Sequence, residues 1–308
     1  MLQEPSNIQS SFRQLNLQEI LAERNLQKKR HMLQYLAQQC RVEVFDMLRK
    51  RQNGHWGGSA SAAEILTTLY SHILRINPKN PGWQERDRLV LSKGHAAPML
   101  YNLLAKRGFF PIDELNNFRC LGSILQGHPS MPKAPGVDMS TGPLGHGLSV
   151  GTGMALAARY LKKQYKTFVL MGEGCLNEGQ TWEAFMSVAK FRPPRLVIMI
   201  DYNKVQLDGS SDEIMPLDPL DAKFRAFNLK VADRIFDGHQ VKDILDSWDW
   251  IKQHEDEPVV IIYRTHKGKG VSFMEDNHKW HGAPIDDESY EKGRPELINK
   301  LKELEELL

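Results

Sequence analysis

Apolar positions recur along this chain with two periods. Between Leu17 and Lys50, Leu33, Leu36, Val42, Phe45 and Leu48 return at spacings of three to six with Lys and Arg between them, which predicts a helix ended by Gly54. A second helix starts near Ser59, where Ser61 and Glu64 are spaced as a capping box. Residues 87–91 read as a short strand, and 96–106 as a helix closed by Gly108. The small residues Gly151, Gly153, Ala155, Ala157 and Ala158 mark a helix over 148–163 suited to close packing on a sheet. Apolar runs at 167–171, 196–201, 230–236 and 258–264 predict strands, and helical stretches fall at 179–191, 216–227 and 240–254. The last twenty residues form a charged amphipathic helix. This alternation predicts an α/β fold with a mostly parallel sheet and helices on both faces. A loose polar arm over 1–15 and one domain over 16–308 complete the expected organisation. The Gly- and Pro-rich stretch 120–147 is too long for a connector and is expected to be a functional loop.

Composition narrows the classes. The 308 residues are 41% hydrophobic and 25% charged, an ordinary globular balance with length for a large core. A net charge of +2 gives no case for nucleic acid or an anionic membrane surface. The longest apolar runs are strand-sized, so no membrane span is expected, and the Gln-rich start is unlike a signal region. Cys40, Cys120 and Cys175 are scattered, which suits a reducing cytoplasm rather than a disulfide framework or a zinc site.

Candidate chemistry begins where the apolar run Phe168–Met171 ends in Gly172-Glu173-Gly174, and the run Leu196–Ile200 ends in Asp201-Tyr202-Asn203. In a parallel sheet both ends reach the edge where open α/β folds bind ligands. A carboxylate from one strand and an amide from the next can share a hard cation, and Mg²⁺ held by few protein groups takes phosphate oxygens as well. The glycines allow backbone to approach a diphosphate. Taken alone, the Gly-Glu-Gly turn is an ordinary strand-to-helix junction, and Asn203 an ordinary turn residue.

The combination resembles the thiamine-diphosphate motif of transketolases, a Gly-Asp-Gly followed about thirty residues later by Asn. Further stretches resemble that family in order: Gly54-His55-Trp56-Gly57-Gly58-Ser59, Ser92-Lys93-Gly94-His95-Ala96, Gly127-His128-Pro129, Ser140-Thr141-Gly142-Pro143-Leu144-Gly145-His146-Gly147, Lys267-Gly268-Lys269-Gly270, and Trp280-His281-Gly282-Ala283-Pro284. The resemblance implies that Glu173, Asn203 and the carbonyl of Val205 hold a divalent cation, Mg²⁺ with Ca²⁺ or Mn²⁺ as alternatives. It implies that Gly172 and Gly174 lie at the diphosphate, with the Gly174 N–H donating to it. Gly142 would accept from the cofactor's aminopyrimidine, and Leu144 would touch the cofactor. His95 and His281 would meet the diphosphate region, while His55, His128 and His281 would face the sugar. Glu178 would communicate with a glutamate on a partner chain. Histidine suits sugar hydroxyls that lose and regain protons near neutral pH. His31, His72, His146 and His254 receive no role.

Two departures stand out. Glu173 occupies a position where the family has Asp, and its extra methylene carries the carboxylate further into the site. The chain also matches only the diphosphate-binding part. The resemblance therefore implies the N-terminal subunit of a split transketolase, working with a C-terminal subunit that carries the pyrimidine-binding and C-terminal domains, in a heterotetramer. Such an enzyme moves a two-carbon ketol unit between sugars or sugar phosphates. The other readings are a deoxyxylulose-phosphate synthase, a 2-oxo acid dehydrogenase component, and a degenerate scaffold or regulatory subunit.

Overall fold

A computed structural model describes residues 12–308. Six strands form one sheet, β1 (Arg88–Leu91), β2 (Thr167–Gly172), β3 (Leu196–Tyr202), β4 (Lys230–Val231), β5 (Phe236–Asp237) and β6 (Val259–Arg264). Their order is β1-β2-β3-β6-β4, with β5 also on β6, and every pairing is parallel. Eleven α-helices are described: α1 (Leu17–Ala22), α2 (Leu26–Arg51), α3 (Trp56–Ser61), α4 (Ala63–Thr68), α5 (Ala97–Arg107), α6 (His146–Tyr160), α7 (Gly179–Phe191), α8 (Ser211–Ile214), α9 (Leu220–Ala226), α10 (Val241–Lys252) and α11 (Asp287–Glu305). None is long and apolar enough to cross a membrane.

Successive side chains of a strand face opposite sides, so runs buried on both faces feed two cores. Leu89, Leu91, Phe168, Leu170, Val197, Met199, Val259 and Ile261 join residues of α2, α4, α5, α10 and α11 on one side. Val90, Val169, Met171, Ile198, Ile200, Val260 and Ile262 join α6, α7 and α9 on the other. The close approach of α6 to β2 depends on Gly151, where a Cβ would stand 2.3 Å from a Val169 methyl.

Four expectations are corrected. The helix expected over 17–50 is broken at Glu23–Asn25, where the Asn25 side chain accepts the Lys28 N–H at 3.0 Å and starts a new helix. The Ser61–Glu64 capping box does not form. Ser61 is already helical and donates to Asp201 at 2.6 Å, while Glu64 pairs with Arg41 at 2.6 Å. The helix expected over 216–227 is shorter, covering Leu220–Ala226 after Pro219. The strand expected over 230–236 is two short pieces on β6. The register moves from Val231↔Val260 to Phe236↔Tyr263, five steps against three, so the segment bulges around Asp233 and Arg234. Of the expected N-terminal arm, residues 1–11 lie outside the described residues. Arg13 is tied down, its N–H donating to Glu305 and its carbonyl accepting the Tyr35 hydroxyl at 2.9 Å.

Candidate active site

With all strands parallel, β1, β2, β3 and β6 deliver Ser92–His95, Gly172–Gly174, Asp201–Asn203 and Thr265–Lys267 to one edge of the sheet. The stretch expected as a loop over 120–147 carries no regular element up to Gly145, where α6 takes over at His146, and it brings His128 and Thr141–Gly142 to the same edge. Gly142 adopts φ +151 beside the His128 ring. The turn before α3 supplies His55, and the segment before α11 supplies His281.

Four of the expected histidines meet. The His55 ring centre lies 5.7 Å from His95, 5.7 Å from His128 and 5.4 Å from His281, and His95 lies 4.9 Å from His281. Glycines make room for them: a Cβ at Gly58 would meet the His95 ring at 2.5 Å, and one at Gly282 the His55 ring at 2.9 Å. Burial lowers the pKa of each, with neighbouring charge adding to it. His55 falls to about 4, with His128 and Arg119 contributing, and His281 to about 3, with Lys267 and His55 contributing. His95 is lowered well below the ordinary value by burial and Lys93, and His128 by burial and Arg119. All four are therefore neutral imidazoles at neutral pH, able to accept and donate one proton each. The Nδ1 atoms of His55 and His281, and the Thr141 hydroxyl, are buried without a partner among the described residues.

Beside this cluster, Glu173 is buried, and its two oxygens accept the Lys204 N–H at 2.5 Å and the Ser211 hydroxyl. Burial, then Asp201, raise its pKa to about 7 against the opposing backbone bonds. Asn203 Oδ1 accepts the Val205 N–H at 3.1 Å, so amide and carbonyl belong to one turn, and the Lys204 N–H of that turn holds the Glu173 carboxyl beside them. Among the described residues no three His, Cys, Asp or Glu side chains make a ready metal cluster. One carboxylate, one amide and one carbonyl are nonetheless the hard oxygen donors that a phosphate-bound divalent cation takes. Each accepting oxygen here keeps a lone pair beyond the bond it already makes. Leu144 packs toward Gly174, at 3.8 Å from where a Cβ would stand. Glu178 is exposed at the start of α7, and His146 is exposed.

The sequence reading missed a buried cationic layer under the histidines. Lys93, with its side chain 1% exposed, is paired with the fully buried Asp201, whose carboxylate also accepts from Ser61 and Thr265. Lys267 donates to the carbonyls of Val205 at 2.9 Å and Gln206 at 2.7 Å. Burial and Lys93 lower its pKa to about 7. Both lysines belong to family-like motifs, but nothing in a linear spacing shows that they become buried together. The locus thus offers cations, N–H groups and close-set glycines to an anion, and a carboxylate to a metal.

The family model described as transketolase, thiamine diphosphate binding domain matches residues 32–301. The chain belongs to the transketolase family. It is 41% identical over 265 residues to the 6-deoxy-6-sulfo-D-fructose transketolase subunit SqwG of Clostridium sp. (strain MSTE9), covering 86% of this chain and 96% of that subunit. It is 38% identical over 273 residues to an apulose-4-phosphate transketolase subunit of Phocaeicola vulgatus, covering 89% and 96%. Against the crystal structure of Campylobacter jejuni transketolase the TM-score is 0.80 at 31% identity, covering 92% of this chain and 47% of that one. This transketolase chain therefore corresponds to subunit-type relatives over nearly their whole length, and to about half of a one-piece enzyme. It is a component of a transketolase-type transferase with a thiamine diphosphate binding domain.

Proposed function

We propose that the chain is the N-terminal subunit of a split transketolase that transfers a two-carbon ketol unit from a ketose to an aldose. A separate C-terminal subunit would supply the pyrimidine-binding and C-terminal domains in a heterotetramer. The observation that carries the reading is the convergence of four neutral histidines and the Glu173–Asn203–Val205 oxygens on one sheet edge. Thiamine diphosphate, when bound, supplies the thiazolium that takes up the carbanion left as a bond beside a ketose carbonyl breaks. Glu173, Asn203 and the Val205 carbonyl would hold Mg²⁺, or Ca²⁺ or Mn²⁺. The Gly174 N–H, with Gly172, His95, His281 and Lys267, would meet the diphosphate. Gly142 and Leu144 would position the pyrimidine end.

His55, His128 and His281 would bind the sugar hydroxyls, each neutral imidazole offering one donor and one acceptor to hold and pass their protons. Exposed Glu178 would meet the partner subunit. The substrates in the two relatives' names, 6-deoxy-6-sulfo-D-fructose and apulose 4-phosphate, are sugars with an anionic group, which favours a specialised anionic sugar here. Cys40, Cys120 and Cys175 are free, in keeping with a cytoplasmic setting. Exposed apolar side chains on α6 and α7, including Val150, Tyr160, Met186 and Phe191, are in keeping with a covering partner.

The test is calorimetric titration of thiamine diphosphate into the chain mixed with its partner subunit, with Mg²⁺, with Ca²⁺ and with chelator. Metal-dependent binding is expected. Its absence in a folded complex would make the chain a scaffold.

A further inference from the structure

Beneath the site, a buried ion pair reaches the Lys267 turn through one imidazole. Arg41 on α2 and Glu64 on α4 are 2% and 3% exposed and 2.6 Å apart. Glu64 also lies 3.1 Å from Nδ1 of buried His239, in the turn after β5. The opposite ring nitrogen, Nε2, accepts the backbone N–H of His266 at 2.8 Å. An acceptor at Nε2 requires that the proton sit on Nδ1, where the carboxylate takes it, so Glu64 sets both the tautomer and the ring's aim.

The His266 N–H needs such an acceptor. β6 ends at Arg264, and the Thr265 N–H still reaches the Tyr202 carbonyl, but His266 lies past the ladder. The next residue is Lys267, whose ammonium reaches Val205 and Gln206. Glu64 does not need His239 for charge neutrality, since Arg41 already pairs with it and Gln34 donates to it at 3.2 Å.

We propose that His239 is a positioning residue, using Glu64 to hold the His266 peptide so that Lys267 is aimed at the Val205–Gln206 carbonyls. Its consequence for diphosphate affinity rests on the cofactor reading above; its geometric content does not.

Two substitutions separate positioning from space filling. His239→Gln can place an oxygen where Nε2 stands and keep the His266 bond. His239→Asn can keep a donor to Glu64 but leaves the His266 N–H without an acceptor. Each is made in the full chain, alone and with Lys267→Met. Hydrogen exchange over the segment around His266 and thermal unfolding need no cofactor. Exchange about tenfold faster in His239→Asn, near wild type in His239→Gln, is expected from loss of one buried bond. The effects of His239→Asn and Lys267→Met on unfolding should be non-additive. Equal exchange in both variants, or additive effects, overturns the proposal.

A third arm titrates inorganic pyrophosphate with Mg²⁺ into the chain mixed with its partner subunit. Affinity about tenfold weaker in His239→Asn, and no further loss when Lys267→Met is already present, is expected. Wild-type affinity in His239→Asn despite faster exchange overturns the link to the diphosphate. If the wild-type complex binds no pyrophosphate, the cofactor reading fails, and the exchange and unfolding arms alone decide whether His239 positions Lys267.

Discussion

Asp201→Asn removes the negative partner of Lys93 while keeping the shape of the side chain. The two side chains are 0% and 1% exposed, so water cannot replace the lost charge. At a separation of about 3 Å and an effective dielectric of about 20, their attraction is roughly 5 kcal/mol. Removing one member of a buried pair costs about 3–5 kcal/mol, in agreement. The expected loss is therefore about 4 kcal/mol. At about 2 °C per kcal/mol for a chain of this size, the midpoint falls by about 8 °C. Adding Lys93→Met leaves no charge buried and should recover most of the loss. Thermal unfolding of the cofactor-free chain provides the assay. A cost below about 1 kcal/mol, or no recovery on adding Lys93→Met, would refute the reasoning.

Glu173→Gln should alter the alkaline limb of stability in chelator. The wild-type pKa is raised to about 7 by burial, so stability is lost as pH rises from the ordinary carboxylate range through that value. The variant should be more stable by up to about 3 kcal/mol above about pH 8 and equal to wild type in acid, read from unfolding midpoints; parallel pH curves would refute this. His55 and His281, lowered to about 4 and about 3, make the unfolded chain the better proton binder below its histidine pKa. Stability should fall with acid through that window, and less steeply in His55→Gln; an unchanged acid limb would argue against the buried neutral cluster. Gly94→Ala would place a Cβ 2.7 Å from the Thr141 hydroxyl and 2.8 Å from the Gly142 nitrogen. Thiamine diphosphate affinity should drop about tenfold or more with the fold retained, and unchanged titration would show that this loop does not touch the cofactor. The purified chain alone should show no ketol transfer from a ketose to an aldose, and robust turnover would remove the need for a partner.

Much of the fold was legible because local physics carries it. Apolar runs such as Val197–Ile200, buried on both faces, signal a parallel sheet whatever surrounds them, and Gly108 closes α5 at φ +86 as its position announced. The break at Asn25 was hidden because a side-chain cap needs neither Gly nor Pro. The bulge between β4 and β5 was hidden because only pairing with β6 reveals the extra residues.

Within the site, the sequence by itself determined which residues stand at strand ends and tight turns, because motif order follows chain connectivity. That was enough to nominate Glu173 and Asn203, and the resemblance to transketolases added His55, His95, His128 and His281. The family comparison then established the transketolase assignment. Only the tertiary structure decided which side chains touch: Lys93 on Asp201, Lys267 on Val205, and His239 between Glu64 and His266. Those partners lie 108, 62, 175 and 27 residues apart along the chain. Burying a charge demands a partner, but the sheet, not the spacing, determines which one it finds.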